Sequence, residues 1–357
     1  MKVLLTGATG YLGSRILRTL LAQADVEVIC LCRSRGSVSA SQRVGRQLEG
    51  VEDSVGARVQ TIEGNLKAPG LGLSDDDRER LLSELDQVIH CAAVLDFSLG
   101  LDQLRECNVE ATRQLLALTR QMRERGRSLR LFSYISTAYV AGEHRNAYEQ
   151  TKAEAEALVA QCTDTPTVIH RPSIIWDDPT APSKRKKSLL DMLVYLYASW
   201  PFKVFPAGQT RLDIVPVDYV ARAVVAGTQH PSRVTGRTLA LVAGPQRSVT
   251  ARRLIKLIGD ELGRSTWVVP PLLYFVFIKP VLSRHPKYRA PSSSPWKAYF
   301  YGANPRFDHA ETEQVLAECG VEGFEVEAMI RQNTHHALAG TRLGVAQPSL
   351  RAQQASK

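Results

Sequence analysis

The first thirteen residues, MKVLLTGATGYLG, constrain this chain more than any other stretch. Lys2, Val3, Leu4 and Leu5 read as a short buried strand, and Thr6-Gly7-Ala8-Thr9-Gly10-Tyr11-Leu12-Gly13 interrupts it with three glycines before a helical pattern begins. A strand, a tight turn and a helix start, in that order, leave free backbone amides at a helix N-terminus, where they attract an anion. Gly7 permits the sharp turn, Gly10 lets a diphosphate approach the backbone, and Gly13 lets the helix pack close to the strand. The spacing is Gly-x-x-Gly-x-x-Gly rather than Gly-x-Gly-x-x-Gly. Position and flanking pattern, more than the motif, therefore favour a nucleotide site over a plain glycine-rich turn.

At 357 residues there is room for one large α/β domain or two smaller ones, and a hydrophobic fraction of 44% supplies a core. Cys30, Cys32, Cys91, Cys107, Cys162 and Cys319 show no Cys-x-x-Cys spacing, so reduced thiols and no metal are expected. The first strand begins at Lys2, which leaves no room for a signal or transit peptide, and the expected location is the cytoplasm. A formal net charge of +9 suits phosphorylated cofactors, coenzyme A or an acidic carrier protein; without a nucleic-acid motif it makes no case for DNA or RNA.

Residues 14–24 read as a helix and Val26-Glu27-Val28-Ile29-Cys30-Leu31-Cys32 as a second strand. An acid at that strand end would bond the adenosine ribose of NAD, but this chain has Arg33, with Arg35 close by and Arg43 on the next helix. Guanidinium groups suit a 2′-phosphate through charge-assisted bonds worth about 1.5–3 kcal/mol each, so NADPH is expected rather than NADH. Solvated surface arginines are the competing reading, more serious for Arg35 than for Arg33. Arg58-Val59-Gln60-Thr61-Ile62 is a third strand, running into Glu63-Gly64-Asn65-Leu66, and residues 74–85 form a helix that Ser74 caps. Gln87-Val88-Ile89-His90-Cys91-Ala92-Ala93 is a fourth strand, whose small end residues let a cofactor lie against the backbone. His90 reads as a structural hydrogen-bonding residue, with a catalytic base the alternative.

Residues 101–125 form a long helix carrying Asn108, and residues 129–136 a fifth strand ending in Ser136-Thr137. The helix that follows contains Tyr148-Glu149-Gln150-Thr151-Lys152, in which Tyr148 and Lys152 share a face. Hydride delivery to a carbonyl carbon leaves negative charge on oxygen, which needs a proton donor. A phenol, with an ordinary pKa of about 10, donates well only if a neighbouring ammonium stabilises its anion. Lys152 supplies that charge and a hold on the nicotinamide ribose, and Thr137 a hydrogen bond to the substrate oxygen.

In their order these stretches resemble the extended short-chain dehydrogenase/reductases, and within them the thioester reductase and fatty acyl-CoA reductase group of the male-sterility type. The resemblance runs from the glycine turn through Gly64-Asn65-Leu66, Leu71-Gly72-Leu73-Ser74, His90-Cys91-Ala92-Ala93, Asn108-Val109-Glu110-Ala111-Thr112 and Ser136-Thr137-Ala138-Tyr139-Val140 to Tyr148-x-x-x-Lys152 and His170-Arg171-Pro172-Ser173. It covers roughly the first 220 residues. By position it implies Thr137, Tyr148 and Lys152 as the catalytic set. Thr6, Gly7, Thr9, Gly10, Tyr11, Leu12 and Gly13 would surround the diphosphate, with Arg33 and Arg43 at the 2′-phosphate and Asn65 by the adenine, where the family more often has Asp. Asn108 takes the family's strand-supporting or proton-relay position. Leu66, Ala92, Ala93, Pro172 and Ser173 complete the cofactor site, which Tyr148 and Lys152 share.

The implied fold is α/β, a Rossmann-type doubly wound parallel sheet over residues 1–171. A smaller C-terminal substrate lobe follows over 172–339, with elements near 205–230 returning to the core, and 340–357 reads as a disordered tail. The implied activity is NADPH-dependent hydride transfer to an acyl thioester on coenzyme A or an acyl or peptidyl carrier protein, giving an aldehyde and, with a second hydride, an alcohol. The same fold acting on a ketone, a sterol-like alcohol or a nucleotide sugar is the alternative, and a non-enzymatic NADPH-binding regulator ranks below it. In the C-terminal third, the basic run Ser183-Lys184-Arg185-Lys186-Lys187 suits coenzyme A phosphates or an acidic carrier as well as plain solvent, and residues 188–200 look helical. Residues 268–282 are the most apolar stretch, too short for a spanning helix of ~20 residues. They are open to three readings: a lid over an acyl chain, an interfacial membrane contact, or packing inside the lobe.

Overall fold

The computed structural model describes residues 1–176, 188–199, 204–282, 284, 297–302, 304 and 306–338. The basic run at 183–187 and the tail at 340–357 lie outside them. The first six strands are β1 (Lys2–Thr6), β2 (Glu27–Cys32), β3 (Val59–Glu63), β4 (Gln87–His90), β5 (Leu131–Ile135) and β6 (Thr167–Pro172). They alternate with α1 (Tyr11–Leu21), α2 (Ala40–Gly45), α3 (Asp53–Gly56), α4 (Asp75–Glu84), α5 (Leu101–Glu124) and α6 (Ala147–Ala160). β1, β4 and β5 show apolar runs rather than alternation because helices cover both faces of the sheet, and every residue of β4 and β5 is buried. Local signals set the helix ends: the Ser74 hydroxyl accepts the Asp77 amide at 3.1 Å to start α4, and the Asn146 side chain accepts the Glu149 amide at 2.9 Å to start α6.

Among the described residues seven further strands follow: β7 (Ile174–Trp176), β8 (Val204–Pro206), β9 (Arg211–Leu212), β10 (Ile214–Pro216), β11 (Thr238–Leu241), β12 (Val249–Thr250) and β13 (Trp267–Val269). The main sheet has seven strands in the order β11-β6-β5-β4-β1-β2-β3, all parallel. The order reverses between β1 and β4, which opens a crevice at their carboxyl ends. The strand completing the sheet, β11, falls beyond the 205–230 window from which a return was expected. β10 instead pairs with β7 in a separate two-stranded sheet. What returns from that window is α8 (Val217–Gln229), held on α1 by the ion pair of Arg15 with Asp218.

The lobe has its own core, in which Trp176, Leu190, Val194, Tyr197 and Phe205 pack with residues of the helices Ala251–Glu261 and Val326–Leu338. α7 (Leu189–Ser199) occupies the span read as helical at 188–200. Ala138 and Tyr139, immediately after Thr137, also belong to this core, so the chain passes from sheet to lobe beside that residue. The apolar stretch at 268–282 divides into the end of β13 and the contiguous helical segments Pro271–Leu273, Tyr274–Ile278 and Lys279–Leu282. Among the described residues no helix is long and apolar enough to cross a membrane.

Candidate active site

A parallel sheet gathers its strand ends on one edge. Here that brings together the glycine turn after β1, Arg33 after β2, Asn65 and Leu66 after β3, Ala92 and Ala93 after β4, Thr137 after β5, and Pro172 and Ser173 at β6. Two glycines are required by contact. Gly7 has φ +78°, and a Cβ there would lie 2.7 Å from the Ala92 amide nitrogen; a Cβ at Gly13 would lie 2.0 Å from the Gly7 carbonyl oxygen. Gly10 bonds back to the Gly7 carbonyl at 2.7 Å and caps α1 without a side chain, so no capping oxygen competes with an anion at this helix end.

Arg43 spans the gap between the turn and the end of β2. Its guanidinium donates to Thr9 Oγ1 at 3.0 Å and to the Arg33 carbonyl. The Arg33 side chain is exposed. Asn65 is exposed as well, its Oδ1 accepting the Lys67 amide at 3.1 Å, and the loop it opens is braced by Gln114 of α5, which accepts the Leu71 amide at 3.0 Å. Leu71 adopts φ +65°, a conformation normally left to glycine, and is 1% exposed: burial of its side chain offsets the backbone strain.

Beneath the crevice runs a chain of neutral hydrogen bonds whose directions can be deduced. The Thr112 hydroxyl donates to the Asn108 carbonyl at 2.8 Å, so at 3.1 Å it accepts from His90 Nε2–H. His90 Nδ1 must then accept, and its partner at 2.8 Å is the Thr6 hydroxyl, whose oxygen takes the Ala92 amide at 3.1 Å. Burial, reinforced by the Lys152 charge, pushes His90 down to about 3, in agreement with a neutral ring. His90 is thus bonded on both nitrogens inside the sheet layer. Asn108 continues the chain: it accepts the Val94 amide at 2.8 Å and donates to the Val94 carbonyl at 3.2 Å and to Thr151 Oγ1 at 3.1 Å. With both amide hydrogens committed, it ties the loop after β4 to α6.

On α6, Tyr148 and Lys152 stand one turn apart. Lys152 is 2% exposed; its ammonium donates to the carbonyl of Ile135, two residues before Thr137, and lies 4.2 Å from the centre of the Tyr134 ring. Burial pushes it down to about 7, against the opposing pull of Cys91 and Glu156, so it is charged below that pH. The Tyr148 phenol is raised by burial and then by Cys91 and Glu149, which keeps it protonated and able to donate at neutral pH. Its ring meets Phe97 edge-on at 6.4 Å. Thr137 is buried, with its hydroxyl 3.4 Å from the Pro172 carbonyl. Ser173 donates to Asp213 at 2.5 Å, and that carboxylate also takes the amides of Ala243 and Gly244 at 2.8 Å each, a structural knot between lobe and sheet.

Two features escaped sequence reasoning. Glu149, beside the tyrosine, is fully buried: it pairs with Arg145 at 2.7 Å and accepts the Tyr299 hydroxyl at 2.7 Å, while the Arg145 guanidinium lies 4.0 Å from the Tyr299 ring centre and 4.5 Å from that of Tyr139. No sequence signal announces Tyr299, which arrives from 150 residues away. Ser136 Oγ, at the end of β5 between the carbonyl that holds Lys152 and Thr137, is buried with no hydrogen-bond partner among the described residues. An orphaned hydroxyl on the crevice edge is what a bound polar molecule would satisfy. Together with the uncapped α1 terminus, it makes the site fit a dinucleotide.

Comparison with known proteins assigns this architecture. Residues 5–224 match the NAD-binding family described as male sterility protein, and the chain belongs to that family. Human fatty acyl-CoA reductase 1 is 29% identical over 292 residues, which is 65% of this chain and 56% of that protein. The hybrid PKS-NRPS synthetase pvhA of Talaromyces variabilis is 29% identical over 236 residues, 62% of this chain but 5% of the synthetase. The chain therefore spans little more than half of one curated relative and a small part of the other. Among solved structures, the terminal R domain from the myxalamid PKS-NRPS biosynthetic pathway superposes with a TM-score of 0.75 at 25% identity, covering 93% of this chain and 89% of that one.

Proposed function

We propose that this member of the male sterility protein family is an NADPH-dependent reductase of acyl thioesters carried on coenzyme A or on a carrier protein. The observation that carries the reading is the buried Lys152 ammonium, held on the Ile135 carbonyl one helical turn from Tyr148 and beside the strand end that bears Thr137. Relatives named for acyl-CoA reduction and for a synthetase's terminal reductase domain support the substrate class. When bound, the cofactor supplies the hydride. Gly7, Gly10 and Gly13 would hold its diphosphate, and Arg43, between Thr9 and the end of β2, would face a 2′-phosphate; that guanidinium is the reason for preferring NADPH.

In this reading Thr137 turns its hydroxyl from Pro172 to the thioester carbonyl oxygen, and Tyr148 donates to the same oxygen from the other side. As charge develops there, the Tyr148 proton moves to it and the Lys152 ammonium stabilises the phenolate left behind. The product of one hydride and one proton is a hemithioacetal, which collapses to an aldehyde and a free thiol.

The test is cofactor oxidation with a panel of acyl-CoA and acyl-pantetheine thioesters of different chain lengths, each paired with a thiol assay. Stoichiometric thiol release is expected. Oxidation only with added aldehydes or ketones, and no thiol, would transfer the protein to the carbonyl reductases.

A further inference from the structure

The helical stretch over residues 271–282 turns an apolar face outward. Leu272, Leu273, Val276, Phe277 and Val281 are all exposed, Leu272 by 73% and Phe277 by 66%, and Trp267 on the adjoining β13 is 70% exposed. The stretch is not a loosely placed core element. Its inner side is already anchored: Phe275 meets Tyr301 edge-on at 5.4 Å, and β13, which leads into it, pairs with β8. Both sides of the helix are therefore apolar, and the described residues of the lobe cover only one. Scattered exposed apolar side chains need no explanation, but several large ones on one helix face mark a contact surface.

Charge indicates what covers it. Residues 262–307 contain seven Lys or Arg and no Asp or Glu, so this stretch holds most of the chain's formal excess of +9 and the remainder is nearly balanced. Arg264, Arg284 and Arg306 are exposed. A specific protein interface needs polar groups to fix register, and this outward face offers none at its centre. A bilayer surface requires none: it takes aliphatic and phenyl groups into the acyl boundary, an indole at the headgroup level and cations against its phosphates.

We propose that this face is a monotopic membrane-contact site for anionic lipid, in which the helix over 271–282 lies in the interface plane and the basic residues on it and next to it in sequence, Arg264, Lys279 and Arg284, meet lipid phosphates. The site lies outside the catalytic residues, so it stands or falls independently of the thioester reading.

Flotation of the full chain with phosphatidylcholine vesicles, with and without phosphatidylglycerol, tests it. The protein should float with the anionic vesicles, less so at high salt, and the double variant Leu272→Asp/Phe277→Asp should bind on the order of tenfold more weakly or worse. Because both side chains are exposed, the variant should keep its thermal midpoint, which separates loss of contact from loss of fold. Failure of the wild type to float overturns the proposal. Equal flotation of wild type and variant also overturns it, by assigning binding to the basic residues alone. A wild-type dimer that the variant dissolves, without flotation of either, would give the face to a second copy of the chain, and saturable binding of an acidic carrier protein without flotation would give it to that partner.

Discussion

Two buried polar clusters hold α6, the helix of Tyr148 and Lys152, and they are built on opposite principles. On the sheet side, Thr6, His90, Thr112, Asn108 and Thr151 form a chain of neutral groups. On the lobe side, Arg145, Glu149 and Tyr299 form an ion pair with a phenol added. The first joins elements that the parallel sheet and its covering helices have already set in register, so bonds of about 1 kcal/mol each suffice. The second joins α6 to a segment that shares no strand pairing with it, and charge supplies the strength that a ladder would otherwise provide. A neutral chain fails link by link. A largely buried pair fails at once, because removing the Glu149 charge leaves the Arg145 guanidinium, 19% exposed, without its carboxylate.

Substitutions can separate the two. The largest effect should fall on what both clusters hold: Tyr148→Phe should lower turnover on the order of 10²- to 10⁴-fold with the fold and cofactor affinity intact, and unchanged turnover would remove Tyr148 from the mechanism. Next comes the charged cluster. Glu149→Gln strands Arg145 and should cost about 3–5 kcal/mol in denaturant unfolding, with a loss of turnover in the fraction that stays folded. A cost near that of an exposed pair would erase the contrast. Asn108→Ala should cost about 1–3 kcal/mol, since it leaves Val94 and Thr151 groups without a partner.

The smallest effect is a slope. Burial holds both His90 and His170 down to about 3, from an ordinary value near 6.5. Between those limits the unfolded chain binds protons that the folded chain refuses, so stability falls as pH drops from 6.5 towards 3 and is recovered as pH rises. His90→Gln should roughly halve that slope, read as unfolding free energy against pH. An unchanged slope would place the neutral chain's histidine in solvent.

Much of the sheet was legible because its signals are local. Five strands and the helices between them followed from apolar runs and caps, with ends shifted by a few residues. Ser74 and the glycine turn performed as their chemistry predicts, since a cap or a tight turn involves atoms only a few residues apart. β11 escaped because Thr238–Leu241 is four residues long and unremarkable in composition; it becomes a strand by pairing with β6. The stretch at 268–282 stayed ambiguous for the opposite reason: apolar residues on every side of a short helix leave no periodicity to say which face is buried.

The site divides in the same way. Tyr148 and Lys152 could be placed on one face of a helix from their spacing alone, and Arg43 could be singled out as a candidate from its charge and its nearness to the strand end. Sequence alone determined the order of the first five strands and the helices between them, the glycine turn after β1 and the pairing of Tyr148 with Lys152 on one helix face, because each depends on neighbours within about one helical turn or one loop. Tertiary structure alone decided that His90 is neutral and doubly bonded, that Asn108 ties the loop after β4 to α6, that Glu149 is buried against Tyr299, and that one apolar helix face is left uncovered by the described residues. Those properties arise from burial and from partners distant along the chain, and desolvation is a property of the assembled fold rather than of any segment in it.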